Sequence, residues 1–133
     1  MAKAKKAKQC SFTLQNRAGL LSEVTTALAR AKVNINAICA YEWEEKAVFM
    51  LSTDSPAKTK RVLAPLGIEI KEEDVVAVEM SNKVGELQKV AKRVGDAGMN
   101  INYIFGTTSA GKSSICILKT EDDKRAIGLI NKK

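Results

Sequence analysis

Apolar and polar positions alternate in two places along the chain. Cys10, Phe12 and Leu14 alternate with Ser11 and Thr13, and Val76, Val78 and Met80 alternate with Ala77 and Glu79. Period two with one apolar face predicts a half-buried strand. After each strand the period lengthens. Leu20, Leu21, Val24, Leu28 and Ala31 fall on one helical face, as do Leu87, Val90, Val94 and Ala97, with Arg and Lys opposite. Gly98 suits the left-handed position that closes the second of these helices. Further strands are expected from Ile35, from Ile101, over Lys46–Thr53 and over Ser113–Thr120. A second helix begins at Ser55-Pro56 in one half and at Glu121-Asp122 in the other, since proline is favourable just inside a helix start. Leu66-Gly67 turns the first half into a fourth strand, Ile68–Lys71.

The two halves are copies. Asn16–Ile38 aligns without a gap on Asn82–Ile104 at a constant shift of 66 (82 − 16), with nine identities in 23 positions. A fixed shift of this kind marks a repeated structural unit. The order β-α-β-β-α-β is the ferredoxin-like arrangement. The expected fold class is therefore α+β: two ferredoxin-like repeats, each an antiparallel sheet with helices on one face. The boundaries expected are a basic flexible tail over 1–8, a first repeat over 9–73 and a second over 74–133. The second copy stops where the first begins its fourth strand, so it lacks its last strand. The flank of strand 74–80 is then open, and open edges seek partners. Another chain or the N-terminal segment is expected to fill it.

Charge changes this picture little. Of the net charge of +7, four units (Lys3, Lys5, Lys6, Lys8) lie in the first eight residues, leaving +3 (7 − 4) for the rest. Lysines spaced by alanines read as a solvated tail. No apolar run approaches the roughly 18–20 residues that cross a bilayer, and MAKAKKAK has no apolar segment behind it, so neither membrane nor secretion is expected. Cys10, Cys39 and Cys116 are odd in number and contain no C-x-x-C, which points to a reducing, cytoplasmic setting rather than disulfides or zinc. There is no histidine and no repeated acid pair, so no enzyme, metal or cofactor is expected.

One motif points elsewhere. Gly106–Ser113 reads GTTSAGKS and fits the phosphate-loop pattern G-x-x-x-x-G-K-[ST]. A phosphate loop needs a helix after it, because the helix start and the loop amides hold the phosphates. Here a β-rich segment follows, and Lys112 aligns with Lys46 at the repeat shift. The stretch is read as a hairpin turn.

The repeated Asn-x-x-Gly carries the candidate chemistry. Asn16-Arg17-Ala18-Gly19-Leu20-Leu21 and Asn82-Lys83-Val84-Gly85-Glu86-Leu87 sit where strand becomes helix, a place with free backbone N–H groups at the positive helix end. Glycine allows close approach, and asparagine offers both donor and acceptor, as a zwitterionic amino acid requires. Asn34 and Asn100 open the next strand, expected on the same rim. Each asparagine is equally a helix cap or turn former, and both readings stay open at this point.

The pattern Asn-(Arg/Lys)-x-Gly-x-Leu, an amphipathic helix and then (Val/Met)-Asn-Ile-Asn resembles the ACT domain, a small regulatory module of amino-acid metabolism. Two copies cover nearly everything from Gln9 onward, similar to stand-alone ACT pairs without a catalytic domain. The resemblance implies modules paired edge to edge, as in a homodimer, with an amino acid at the seam and a partner enzyme reading the signal. It implies ligand contacts at Asn16, Arg17, Ala18, Gly19, Leu20, Leu21 and Asn34, and at Asn82, Gly85, Leu87 and Asn100. Glu86 stands where the first copy has Leu20 and would put negative charge near a ligand carboxylate, so the first-copy site is favoured. A ligand-independent docking subunit is the alternative, with Tyr41 and Trp43 among Glu42, Glu44 and Glu45 either anchoring a partner or capping the core. Nucleic-acid binding is not expected, because the central strands offer Phe49 alone for stacking.

Overall fold

The computed structural model describes residues 2–133. Its elements are β1 (Lys3–Gln15), α1 (Leu20–Arg30), β2 (Ile35–Trp43), β3 (Lys46–Thr53), α2 (Pro56–Leu63), β4 (Lys71–Ser81), α3 (Glu86–Asp96), β5 (Ile101–Thr107), β6 (Ser113–Thr120) and α4 (Asp123–Asn131). The chain forms two compact units. One is Lys8–Glu73; the other joins Asp74–Lys133 to the chain up to Ala7.

In the first unit the strand order is β2-β3-β1-β4, with β4 contributing residues 71–73. The pairs β1·β3 and β2·β3 are antiparallel, with Phe12 opposite Phe49 and Ile38 opposite Leu51. Leu20, Val24 and Leu28 recur every four residues on α1 and bury against Phe12, Phe49, Leu51 and Leu63. Ser55 caps α2 by accepting from the Lys58 N–H at 3.3 Å, with Pro56 at the first helical position. The buried hydroxyls of Thr53 and Thr59 satisfy each other at 2.9 Å.

The second unit has the order β1-β4-β6-β5, with β1 contributing residues 3–7. Val76, Val78, Met80, Val90, Val94, Leu118, Ala126 and Ile130 form its core. Arg93 on α3 donates to the carbonyls of Ile130 (2.9 Å) and Leu129 (3.2 Å), closing the end of α4.

Three expectations change. Residues 3–8 belong to a strand rather than to a flexible tail. Ala4 is buried while Lys3 and Lys5 point outward, so the lysine run hides a strand edge. Asn131 holds it in place: its Oδ1 accepts the Ala4 N–H at 2.7 Å, and its Nδ2 donates to the Ala4 carbonyl at 2.8 Å. Among the described residues no strand follows α4, and the N-terminal segment takes that edge.

The fourth strand of the first repeat also shifts. Ile68–Ile70 are not strand. From Lys71 onward, the chain runs without a break into the strand expected over 74–80. Lys-Glu-Glu-Asp contains no Gly or Pro to break the strand. Finally, the repeat shift is not constant. Ile35 pairs with Thr53 and Ile101 with Thr120, a shift of 67 (120 − 53) after the hairpin. Lys46 therefore corresponds to Ser113, not to Lys112. Residues 108–112 lie in the β5–β6 turn, with a strand following.

Candidate functional site

Both strand-to-helix corners are built on a left-handed glycine. Gly19 has φ 83° and Gly85 φ 88°, a conformation that L side chains rarely adopt. Each glycine is the N-cap, so no side chain caps α1 or α3. The Leu20 N–H reaches back to the Arg17 carbonyl at 3.3 Å, and the Glu23 N–H bonds the Gly19 carbonyl at 3.0 Å. The same pair recurs as Glu86 to Lys83 (3.3 Å) and Lys89 to Gly85 (3.2 Å). Between them the N–H groups of Leu21 and Ser22, and of Leu87 and Gln88, have no acceptor among the described residues. Each helix start thus presents two free donors at its positive end.

The corner asparagines brace these loops. Asn16 takes the Glu45 carbonyl on its backbone N–H at 3.0 Å and donates Nδ2 to the Glu42 carboxylate at 2.8 Å. Asn82 does the same with the Lys112 carbonyl (2.9 Å) and the Gly111 carbonyl (3.0 Å). Each ties its corner to the neighbouring hairpin. Arg17 is exposed and paired with Glu23 at 2.6 Å, which raises the guanidinium pKa and lowers that of the carboxyl through their hydrogen bond. Ala18 is exposed, Leu20 is core at 3% exposure, and Leu21 and Leu87 are half exposed.

Asn34 and Asn100 are elsewhere. The Asn34 N–H bonds the Asp54 carboxylate at 3.1 Å and its Nδ2 reaches Asn36 at 2.9 Å; the Asn100 N–H bonds the Glu121 carboxylate at 3.0 Å. Asp54 and Glu121 follow the last residues of β3 and β6, whereas Asn16 and Asn82 lie beside the first residues of those strands. The eight residues of β3 separate the two asparagines of the first unit by on the order of 25 Å, at about 3.3 Å per residue. The expectation of one shared rim is corrected. β1 and β2 run parallel with β3 between them, so the helix that joins them returns the chain to the end at which β1 began.

A cleft of about 350 Å³ opens at the second corner. Asn82, Lys83, Glu86 and Leu87 form one wall, and Ile104 to Thr107 of β5, Thr108 after it and Ser114 to Cys116 of β6 form the other. Side-chain size explains the space. The first unit fills the equivalent ground with Leu20 and with Phe12 stacked on Phe49, ring centroids 4.9 Å apart. In the second unit Val78 replaces Phe12, Cys116 replaces Phe49 and Glu86 replaces Leu20. Gly106 faces Cys116 so closely that a Cβ there would stand 2.7 Å from the Cys116 Cβ. Burial raises the Cys116 thiol pKa, so it lines the cleft as a neutral apolar group. Lys83 and Glu86 lie within the motif but were given no ligand contact, and the motif did not reach Ile104, Phe105 and Cys116. Comparing side-chain volumes between the copies, with the shift of 67 applied to β6, would have found the last.

Among the described residues no cluster of ligating side chains suits a metal, and no helix is long and apolar enough to cross a membrane. All three cysteines are free.

Comparison with known proteins bears on this arrangement. The family described as the ACT domain pair matches residues 5–133. A crystal structure of a protein from Bacteroides thetaiotaomicron superposes with a TM-score of 0.86 at 26% identity, covering 95% of this chain and 87% of that one. The ligand-free regulatory subunit of aspartate kinase from Thermus thermophilus gives 0.69 at 17% identity, covering 97% and 93%. That subunit from Thermus flavus gives 0.65 at 18%, covering 98% and 93%. The two Thermus likenesses speak for the fold. No curated protein matched.

Proposed function

Because this chain belongs to the ACT family as a pair of ACT domains in one polypeptide, we propose that it is a non-catalytic regulator that binds a small amino acid. The supporting observation is the cleft opening onto the uncapped start of α3, where the Leu87 and Gln88 amides await a carboxylate. The ligand sits at a seam between paired modules. β2 and β5 are edge strands that expose Ile38 (41%) and Ile104 (43%), and a second copy covers them in a homodimer. Antiparallel pairing of two β2 edges sets the start of one strand against the end of the other. Asn34 of one copy thereby comes to the Asn16 corner of the other. A partner enzyme of amino-acid metabolism reads the bound state, and the three free thiols fit a cytoplasmic setting.

The test is a thermal-shift panel of the proteinogenic amino acids. Saturation at 100 times Kd adds about 2.7 kcal/mol, and sedimentation shows whether the binding form is dimeric. A panel in which nothing raises the melting temperature removes the sensor reading.

One observation favours a second reading. Trp43 is 66% exposed and Tyr41 49%, at a hairpin carrying Glu42, Glu44 and Glu45. They stand out as an anchor for a docking partner rather than as a cap on the core. Under this reading a partner enzyme co-purifies without any amino acid, and Trp43→Ala releases it.

A further inference from the structure

We infer that Glu86 reads the ammonium group of the ligand, so that the second-repeat cleft selects amino acids over hydroxy and keto acids of the same carbon skeleton. This rests on the amino-acid reading above.

Glu86 occupies a position that the fold directs inward. Its counterpart Leu20 is 3% exposed and packed in the first core. A carboxylate at such a position loses hydration and needs a compensating cation. The Glu86 side chain is only 14% exposed, and its partner Lys89 stands 3.5 Å away with its own side chain 70% exposed. A long pair with a solvated lysine compensates weakly. Meanwhile Glu86 lines the cleft, and the space beside it is left by Cys116 standing where the first repeat has Phe49.

The other charged and polar groups there have the opposite sense. Lys83 lines the same wall, and the free Leu87 and Gln88 amides lie at the positive end of α3. Met80, Ile104 and Ile115 supply an apolar surface. One carboxylate, one lysine and two amide donors around an apolar floor match a zwitterion with a small apolar side chain. The ligand carboxylate goes to the amides and Lys83, its ammonium to Glu86 as a charge-assisted hydrogen bond. An acid lacking the ammonium brings its negative charge to Glu86 with nothing to offset it. The charge that would repel a lone carboxylate is therefore the selective element for an amino acid.

The experiment is calorimetric titration of the full chain with the proteinogenic L-amino acids and, for each that binds, the 2-hydroxy acid of the same skeleton. Wild type should prefer the amino acid by roughly tenfold or more. Glu86→Gln should weaken the amino acid and strengthen the hydroxy acid, the two changes together amounting to about that factor, so that the preference collapses. Glu86→Leu installs the first repeat's residue at a position where it packs, and should collapse the preference in the same way. A wild-type preference retained in both variants overturns the role of Glu86 while leaving an amino-acid sensor standing. If no amino acid binds wild type, the sensor reading falls and this inference with it.

Discussion

The two repeats share a backbone plan but resolve its corner in opposite ways. In the first, an aromatic stack and Leu20 fill the space under the helix start, and Arg17 turns outward to Glu23. In the second, Val78, Cys116 and Glu86 leave the space open and place a charge at its rim. Duplication thus supplied one copy whose packing is complete and one in which packing was relinquished for a cleft. The difference lies in three side chains, not in topology. Motif similarity does not register it, because a motif records the loop and not the volume behind it.

This contrast can be broken from either side. The largest effect is expected from Phe49→Cys, which gives the first repeat the second's residue. Loss of a buried ring and of its stacking on Phe12 should destabilise the protein by about 3 kcal/mol in chemical denaturation. A change under about 1 kcal/mol would mean that the stack does not support the first core. The reciprocal Cys116→Phe should close the cleft, since Cys116 lines it and a ring takes up the space that the thiol leaves. The ligand-induced stabilisation of about 2.7 kcal/mol at 100 times Kd should then vanish from the thermal-shift assay. A full shift in that variant would move the site elsewhere.

Asp123 sharpens the comparison at the other end of the second unit. Its carboxylate accepts from Lys119 (2.9 Å), the Thr120 N–H (3.0 Å) and the Thr120 hydroxyl (2.8 Å). Burial works to raise its pKa, but the Lys119 and Thr120 hydrogen bonds prevail and hold it below the usual aspartate value. A depressed folded-state pKa contributes stability that is complete above the unfolded value, about 3.9, and is lost as pH falls through the folded value. Asp123→Asn should lower stability by about 1–2 kcal/mol at pH 7 and flatten the acid limb of the stability profile. An unaltered acid limb would mean that Asp123 carries none of it. The smallest effect belongs to Glu23→Gln, whose exposed pairing with Arg17 should leave the melting temperature within error.

Much of this was legible in the residues. The strands expected over Lys46–Thr53 and Ser113–Thr120 coincide with β3 and β6, and Ser55 and Asp122 cap the helices their positions suggested. These features are local, so local pattern is enough. What escaped was set by partners distant in sequence. KAKKAK carries no hydrophobic stripe beyond alanine, and its strand exists because β4 and Asn131 meet it. The placing of Asn34 depended on chain direction through the crossover, which residue type does not reveal. The cleft depended on pairs such as Phe12 with Phe49, joined only by strand register.

The clamp between Ala4 and Asn131 spans a separation of 127 residues. During synthesis the Ala4 segment therefore waits for Asn131, 127 residues later, before this clamp can form. The first repeat has all of its pieces once Glu73 has emerged, whereas closure of the second needs a loop almost as long as the chain. Long-range closure of this kind slows folding. The repeat that carries the cleft is thus the one expected to mature last, and a stalled or truncated product would hold a finished first half beside an unfinished second.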